Sequence, residues 1–141
     1  MRSFFDTSVL VASFLDGHEH YEKSFAVLAR ADRKNACCAA HSLAELYATL
    51  TRLPGKLGFG VDQALLCLDS VVDRLELISL DVPQYRQAIR EAASEGVVGG
   101  TVYDALLGQC ALKARAIKIY TWNVGHFQLL GPAIAAKVRT P

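Results

Sequence analysis

The sequence predicts an α/β domain with a mainly parallel sheet. Short apolar segments alternate along the chain with helical patterns of about a dozen residues, which is the order of strands joined by crossover helices. The chain has 141 residues, of which 52% are hydrophobic and 21% are charged. This length and composition are typical of one compact globular domain, so residues 1–141 are expected to form a single unit.

The first half of the chain carries two strand patterns and four helix patterns. In the second helix, the apolar stripe is predicted to contain Tyr21, Phe25, Leu28 and Ala29. Pro54-Gly55 is predicted to end the third helix. The six elements are predicted at residues 2–6, 8–15, 19–31, 36–40, 42–53 and 61–73.

The second half continues the same alternation. Pro83 favours the first turn of a helix, and Gly96–Gly100 separates that helix from the next as a loop. In the tail, Val138 is flanked by polar residues and predicts a short edge strand. The other elements are predicted as strands at 75–80 and 117–121 and helices at 83–95 and 101–114.

The composition argues against a broadly basic or membrane-spanning protein. The net charge is +1, so contact with nucleic acid needs a local basic patch. No apolar run approaches the ~20 residues of a membrane span, and Asp6 and Asp16 interrupt the only candidate leader segment. Adjacent Cys37 and Cys38 should point to opposite faces of a strand, and no CxxC spacing occurs, which is typical of core thiols in the cytoplasm.

Three acidic residues are predicted to approach one edge of the sheet. Asp6 stands at the end of the first strand, Glu45 lies one turn into the helix after the second strand, and Asp104 lies in the first turn of a later helix. The segment from Tyr120 to Asn123 leaves the last long strand at the same edge if the sheet is parallel. Crowded carboxylates must hold protons or a cation, and oxygen ligands suit Mg²⁺ or Mn²⁺.

Helix capping is the competing explanation for each acid taken alone. Ser42 with Glu45, and Thr101 with Asp104, have the spacing of a capping box, and Asp6 has the position of an N-cap. Capping accounts for each local position, but it does not explain why all three acids lie at one end of the sheet.

Other polar motifs carry weaker signals. His18-Glu19-His20 has the form of a metal-binding pair, but residues two apart do not share a helix face, which favours a solvated helix start. His41 and His126 have no partner at the spacing of a nucleophile and its base. Arg52 and Lys56 follow the Glu45 helix and are candidates for contacts to phosphate.

Four segments in order resemble the PIN-domain family and, more narrowly, the VapC toxins of bacterial toxin–antitoxin pairs. They are FFDTSVLVA, SLAELYATLTRLPG, YDALLGQCAL and IYTWNVGHF, and their order and spacing match the family over nearly the whole chain. The resemblance implies a three-layer α/β/α fold with a short parallel sheet. It also implies a Mg²⁺- or Mn²⁺-dependent endoribonuclease, with RNA as substrate, a VapB-like antitoxin as partner and a homodimer as the assembly.

The resemblance also assigns site residues. Asp6, Glu45 and Asp104 match the acidic positions of the family. The polar positions around that pocket correspond to Thr7, Ser8, Thr121 and Asn123. Many members carry a fourth acid where Asn123 or His126 stands here, so the pocket has three formal negative charges and a second tight metal site is in question.

Other functions remain open at this point. A non-catalytic PIN-like module that binds RNA or protein is one, and the missing fourth acid favours it. A phosphatase with an aspartate nucleophile usually needs D-x-D after the first strand, and Ser8 stands where the second acid would be. A phospho-receiver domain needs an acidic pair at the first strand, and only Asp6 is acidic there.

Overall fold

The computed structural model describes residues 2–53 and 59–141. The predicted helix end at Pro54-Gly55 and the loop cation Lys56 lie outside these residues. The elements in chain order are β1 (Ser3–Phe5), α1 (Thr7–Phe14), α2 (Tyr21–Ala29), β2 (Ala36–Ala39), α3 (His41–Arg52), α4 (Val61–Arg74), β3 (Glu76–Ile78), α5 (Val82–Ser94), α6 (Thr101–Lys113), β4 (Lys118–Tyr120), α7 (Val124–Gln128), α8 (Pro132–Ala135) and β5 (Val138–Arg139). Among the described helices, none has the length and hydropathy needed to cross a bilayer.

The sheet is parallel throughout, in the order β3-β2-β1-β4-β5. Phe4 of the central strand pairs with Cys37 on one side and with Ile119 on the other. The predicted α/β class and parallel sheet are therefore confirmed, and Val138 does begin an edge strand. The chain builds outwards from β1 to β3 and then returns to the other side of β1. This reversal opens a crevice at the carboxyl ends of β1 and β4, where ligands gather in such sheets.

Helices cover both faces of the sheet, so the three-layer arrangement is confirmed. Cys38 and Phe5 belong to a core formed with α1 to α4. Cys37 and Phe4 belong to a second core formed with α6, α7 and α8. The two adjacent cysteines thus point to opposite faces, as the alternation of a strand requires. Helix α5 packs against α6.

The stripe predicted on α2 was wrong in part, because Leu28 is buried as expected but Ala29 is exposed. Phe25 is 51% exposed, and the buried residues of this helix are Ser24, Val27 and Leu28. Ser24 interrupts the apolar pattern on the buried face of the helix. Its hydroxyl can be buried because it accepts a hydrogen bond from the indole of Trp122.

The short helices α7 and α8 were not predicted. They span five and four residues, which is too short for a helical period to be recognised. Phe127 and Ile134 hold them against the second core.

Candidate active site

Three carboxylates from distant parts of the chain line one cleft of about 450 Å³. Asp6 follows β1 directly, Glu45 lies one turn into α3, and Asp104 lies in the first turn of α6. The polar residues Thr7, Ser8 and Asn123 line the same cleft. The structure therefore brings the predicted acids together at the crevice between β1 and β4.

Two hydroxyl groups hold Asp6. Ser8 Oγ donates a hydrogen bond to Asp6 Oδ2 at 2.6 Å, and Thr121 Oγ1 donates to the same oxygen at 2.7 Å. Thr121 is fully buried at the end of β4, and its Oγ1 also accepts a hydrogen bond from the Asn123 backbone N–H at 2.9 Å. These bonds join the ends of β1 and β4 and fix the carboxylate of Asp6, which is 2% exposed.

Glu45 is held by the residue next to Asp6. Thr7 Oγ1 lies 3.0 Å from Glu45 Oε1 and 2.8 Å from Ser42 Oγ, both within hydrogen-bonding distance. A hydroxyl has one proton, so Thr7 donates to one of these oxygens at a time. Thr7 and Ser42 are buried, and they connect the start of α1 to the start of α3.

The geometry does not support helix capping as the role of Glu45 and Asp104. The N-cap residues of α3 and α6 are Ala40 and Gly100, and neither helix has a side-chain cap. Asp6 does occupy the N-cap position of α1, but its shortest hydrogen bonds come from the hydroxyls of Ser8 and Thr121. A true capping box occurs in α5, where Asp81 and Gln84 satisfy each other's backbone N–H groups.

Burial raises the pKa of each of the three acids. The pKa of Asp6 rises to about 6, because burial and the charge of Asp104 outweigh the hydrogen bonds from Ser8 and Thr121. Burial also raises the pKa of Glu45 and of Asp104. Within the described parts of the chain, no lysine or arginine forms a salt bridge with these acids. The cleft therefore disfavours its own negative charge unless protons or a cation balance it.

This unbalanced charge predicts that Asp6→Asn stabilises the metal-free protein, and increasingly so as the pH rises. The folded state holds the Asp6 proton up to a pKa of about 6, compared with 3.8 ordinarily, so the ionisation of Asp6 weakens folding between these two pH values. In EDTA, the melting temperatures of the variant and the parent should be similar near pH 4. The variant should be stabler by about 2–3 kcal/mol at pH 7. A difference in melting temperature that does not vary with pH would contradict the burial of an ionisable Asp6.

Two histidines flank the acids. His126 Nδ1 lies 3.2 Å from Asp104 Oδ2, and His41 Nε2 lies 4.0 Å from Glu45 Oε1. The His41 ring also stacks on Tyr103, with ring centroids 5.5 Å apart. Their nearness lowers the pKa values of the two carboxylates, against the larger effect of burial. Sequence reasoning sought a nucleophile beside these histidines and so missed that each lies beside an acid.

His18 and His20 do precede a helix, as predicted, because His20 is the N-cap residue of α2 and both histidines are partly exposed, but their place in the cleft was missed. Both residues line the acidic cleft together with Glu19 and Trp122. Helix α2 begins only at Tyr21, so the two histidines lie in the preceding turn, where helical spacing does not determine which way they face. All four histidines of the sequence consequently lie in or beside the cleft.

Arg52 is exposed at the last residue of α3 and does not line the cleft. Thr49, one turn earlier in the same helix, does line it. A contact between Arg52 and substrate phosphate stays a prediction.

The chemistry of the acidic residues fits a hard divalent cation. Asp6, Glu45 and Asp104 offer carboxylate oxygens with no balancing Lys or Arg in the described lining of the cleft. In the same described residues, no three acidic, histidine or cysteine side chains form a ready-made metal centre. The acids would thus supply part of the coordination, and water and substrate oxygens the rest, as is usual for Mg²⁺.

Comparison with known sequences identifies related proteins. The family described as PIN domain matches residues 3–126. Ribonuclease VapC40 of Mycobacterium tuberculosis is 35% identical over 116 residues, which cover 82% of each chain. Ribonuclease VapC27 of the same organism is 33% identical over 112 residues, covering 79% of this chain and 77% of the relative.

Solved structures share the fold. The toxin VapC20 of Mycobacterium tuberculosis, described as cleaving the sarcin-ricin loop, superposes with a TM-score of 0.72 at 15% identity, covering 88% of this chain and 92% of that one. VapBC2 from Rickettsia felis, bound to a DNA fragment from its promoter, gives a TM-score of 0.67 at 20% identity and covers 99% and 98% of the two chains. At these identities the likeness establishes the fold alone.

Proposed function

The chain belongs to the PIN-domain family, and on that premise we propose that it is a VapC-type endoribonuclease that cuts RNA with the help of a divalent cation. The observation that carries this proposal is the meeting of Asp6, Glu45 and Asp104 in one cleft, although they come from three separate elements. Relatives with 33% and 35% identity are named ribonucleases, which supports RNA as the substrate.

Asp6 and Asp104 are the proposed anchors of one Mg²⁺ or Mn²⁺ ion, with Glu45 completing the acidic group. Such an ion supplies Lewis-acid stabilisation of charge developing on the phosphate and activates water at neutral pH. Asn123, exposed at the rim in the place of a fourth acid, adds an amide oxygen but no charge. The three carboxylates therefore favour one tightly held ion.

The residues around the acids position them for hydrolysis. Ser8 and Thr121 fix the Asp6 carboxylate, and Thr7 orients Glu45. Burial raises the pKa of Glu45, which makes it a stronger base than a free glutamate and suits it to take a proton from the attacking water. In-line attack by water then leaves a 5′-phosphate and a 3′-hydroxyl, with no covalent intermediate on the protein.

The same family supports a role as a toxin. Two of the structural neighbours are VapBC proteins, from Rickettsia felis and from nontypeable Haemophilus influenzae. We infer a VapB-like antitoxin that places Lys or Arg against the acids and apolar side chains in the groove. We also infer a homodimer that acts in the cytoplasm.

Removing the metal tests the catalytic proposal. Purified protein, free of antitoxin, is incubated with total RNA in Mn²⁺, in Mg²⁺ and in EDTA. We expect discrete fragments with either ion and none in EDTA, and excess Mn²⁺ should restore cleavage, because without a cation the carboxylates repel the RNA phosphate. Equal cleavage in EDTA would overturn the metal requirement. No cleavage under any condition would instead favour a non-catalytic PIN-like module.

A further inference from the structure

We propose that His20, stacked on Trp122, is a platform that binds a nucleobase of single-stranded RNA beside the acidic cleft. This inference rests on the proposed ribonuclease function and concerns how that site holds its substrate. Flat aromatic side chains, histidine among them, are the usual partners of unpaired RNA bases.

The two rings form a close, parallel stack. Their centroids are 3.7 Å apart and their planes differ by 7°. Both residues line the cleft that contains Asp6 and Asp104. A base on this platform would therefore lie next to the phosphate that the acids and their cation handle.

Trp122 is held rigidly as the inner layer of the platform. Its Nε1–H donates to Ser24 Oγ at 2.8 Å, and its backbone N–H donates to Ser8 Oγ at 3.0 Å. The indole also packs against the core formed with α1 to α4. Ser8 is the same residue that holds Asp6, so the platform and the proposed metal anchor share one support.

His20 is the outer layer. The His20 side chain is 34% exposed, whereas Trp122 packs against the core formed with α1 to α4. The neighbouring His18 accepts a hydrogen bond from the His20 backbone N–H at Nδ1, at 3.0 Å, which fixes the turn before α2. The His18 ring meets the His20 ring at 5.7 Å with a tilt of 43°, so it is not stacked on it. Nε2 of His20 also lies 3.4 Å from Glu19 Oε1. The exposed third of the His20 side chain is the part on which another flat ring would stack.

The charges in the cleft favour a base over a phosphate as the group bound at this platform. In the described part of the chain, the residues that line the cleft include Asp6, Glu19, Glu45 and Asp104 but no Lys or Arg. Phosphate contacts, which normally supply most of the affinity for nucleic acid, are therefore few here. A neutral base is not repelled by the acids, and stacking of one base strengthens binding by about 5- to 150-fold.

The test measures RNA binding in EDTA, where no cleavage occurs. The probes are four fluorescently labelled RNA homohexamers, one for each base, and anisotropy gives their dissociation constants. Trp122 is the only tryptophan of the sequence and lies directly under His20, so a change in its fluorescence with unlabelled hexamer reports on binding at the platform. We expect such a change with at least one hexamer, and His20→Ala should weaken its binding by about fivefold or more.

Two further variants separate stacking from other effects. His20→Phe keeps a flat ring and should bind within about twofold of the parent protein, since bases stack on Phe as on His. Phe25→Ala removes an exposed aromatic residue of α2 that does not line the cleft, and it should leave binding unchanged. Melting temperatures confirm that each variant is folded.

The proposal fails if His20→Ala binds every hexamer as tightly as the parent, because the stack would then serve only to pack the turn before α2. It also fails if His20→Phe loses as much affinity as His20→Ala, since a polar contact of the imidazole, and not stacking, would then account for RNA binding. Cleavage of total RNA in Mn²⁺ is measured in parallel. A parent protein that binds hexamers through His20 but cuts nothing would overturn the proposed function and support the platform.

Discussion

Replacing Asp6 or Asp104 with asparagine is expected to lower metal-dependent RNA cleavage by at least about a hundredfold while the protein stays folded. Each change removes one of the three carboxylates of the cleft. Loss of a residue that only hydrogen-bonds to a metal ligand already lowers metal affinity or activity by about 10- to 100-fold, so loss of a direct ligand should lower activity more. The measurement is the initial rate of cleavage in Mn²⁺, with melting temperatures of the same samples.

The fold should survive these changes for a physical reason. In Asp6→Asn, the amide oxygen still accepts the hydrogen bonds from Ser8 and Thr121, and the substitution removes a charge that burial disfavours. Asp69→Asn is the matched control, because Asp69 is an exposed acid on α4 that does not line the cleft. It should cut RNA within about twofold of the parent rate. Cleavage by Asp6→Asn or Asp104→Asn at the parent rate would show that these acids are not the anchors.

Much of the fold could be predicted from the sequence because its elements alternate regularly. Apolar strands separated by helical patterns indicate a parallel sheet, and the observed strands lie within the predicted ranges, except that the edge strand was predicted only around Val138. Adjacent Cys37 and Cys38 predicted a strand buried on both faces, and each now lies in a different core. The three-layer arrangement came from the family resemblance, because periodicity alone does not say which face each helix covers.

The failures have local causes. The buried face of α2 was misplaced because it contains Ser24, which a sequence pattern assigns to the polar face. In the structure Ser24 is buried, and its hydroxyl is satisfied by a hydrogen bond from Trp122. That bond joins residues far apart in the chain, so no local pattern could reveal it. Helices α7 and α8 were missed because each is shorter than two turns.

The acidic residues of the site were identifiable, but their role was not settled by spacing. Glu45 and Asp104 have the spacing of capping residues. Their contacts in the structure, Glu45 with Thr7 and Asp104 with His126, favour a role in the cleft over helix capping. The histidines were harder to place. His20 reaches the cleft through its stack on Trp122, and this contact depends on how α2 packs against the end of β4.

Binding of Mn²⁺ to the three carboxylates is the central claim, and it has a further consequence for protons. At pH 6 Asp6 is about half protonated, because its pKa lies near that value. A cation that binds there must displace the proton, so binding should weaken as the pH falls and should release protons into the buffer. Calorimetry in two buffers of different ionisation enthalpy measures both the affinity and the number of protons released.

The most direct test is therefore a calorimetric titration of Mn²⁺ into the parent protein, Asp6→Asn, Asp104→Asn and the control Asp69→Asn. We predict one saturable site in the parent and the control, and at least about tenfold weaker binding in both cleft variants. If all four proteins bind Mn²⁺ equally, or if none shows a saturable site, the three acids do not share a cation.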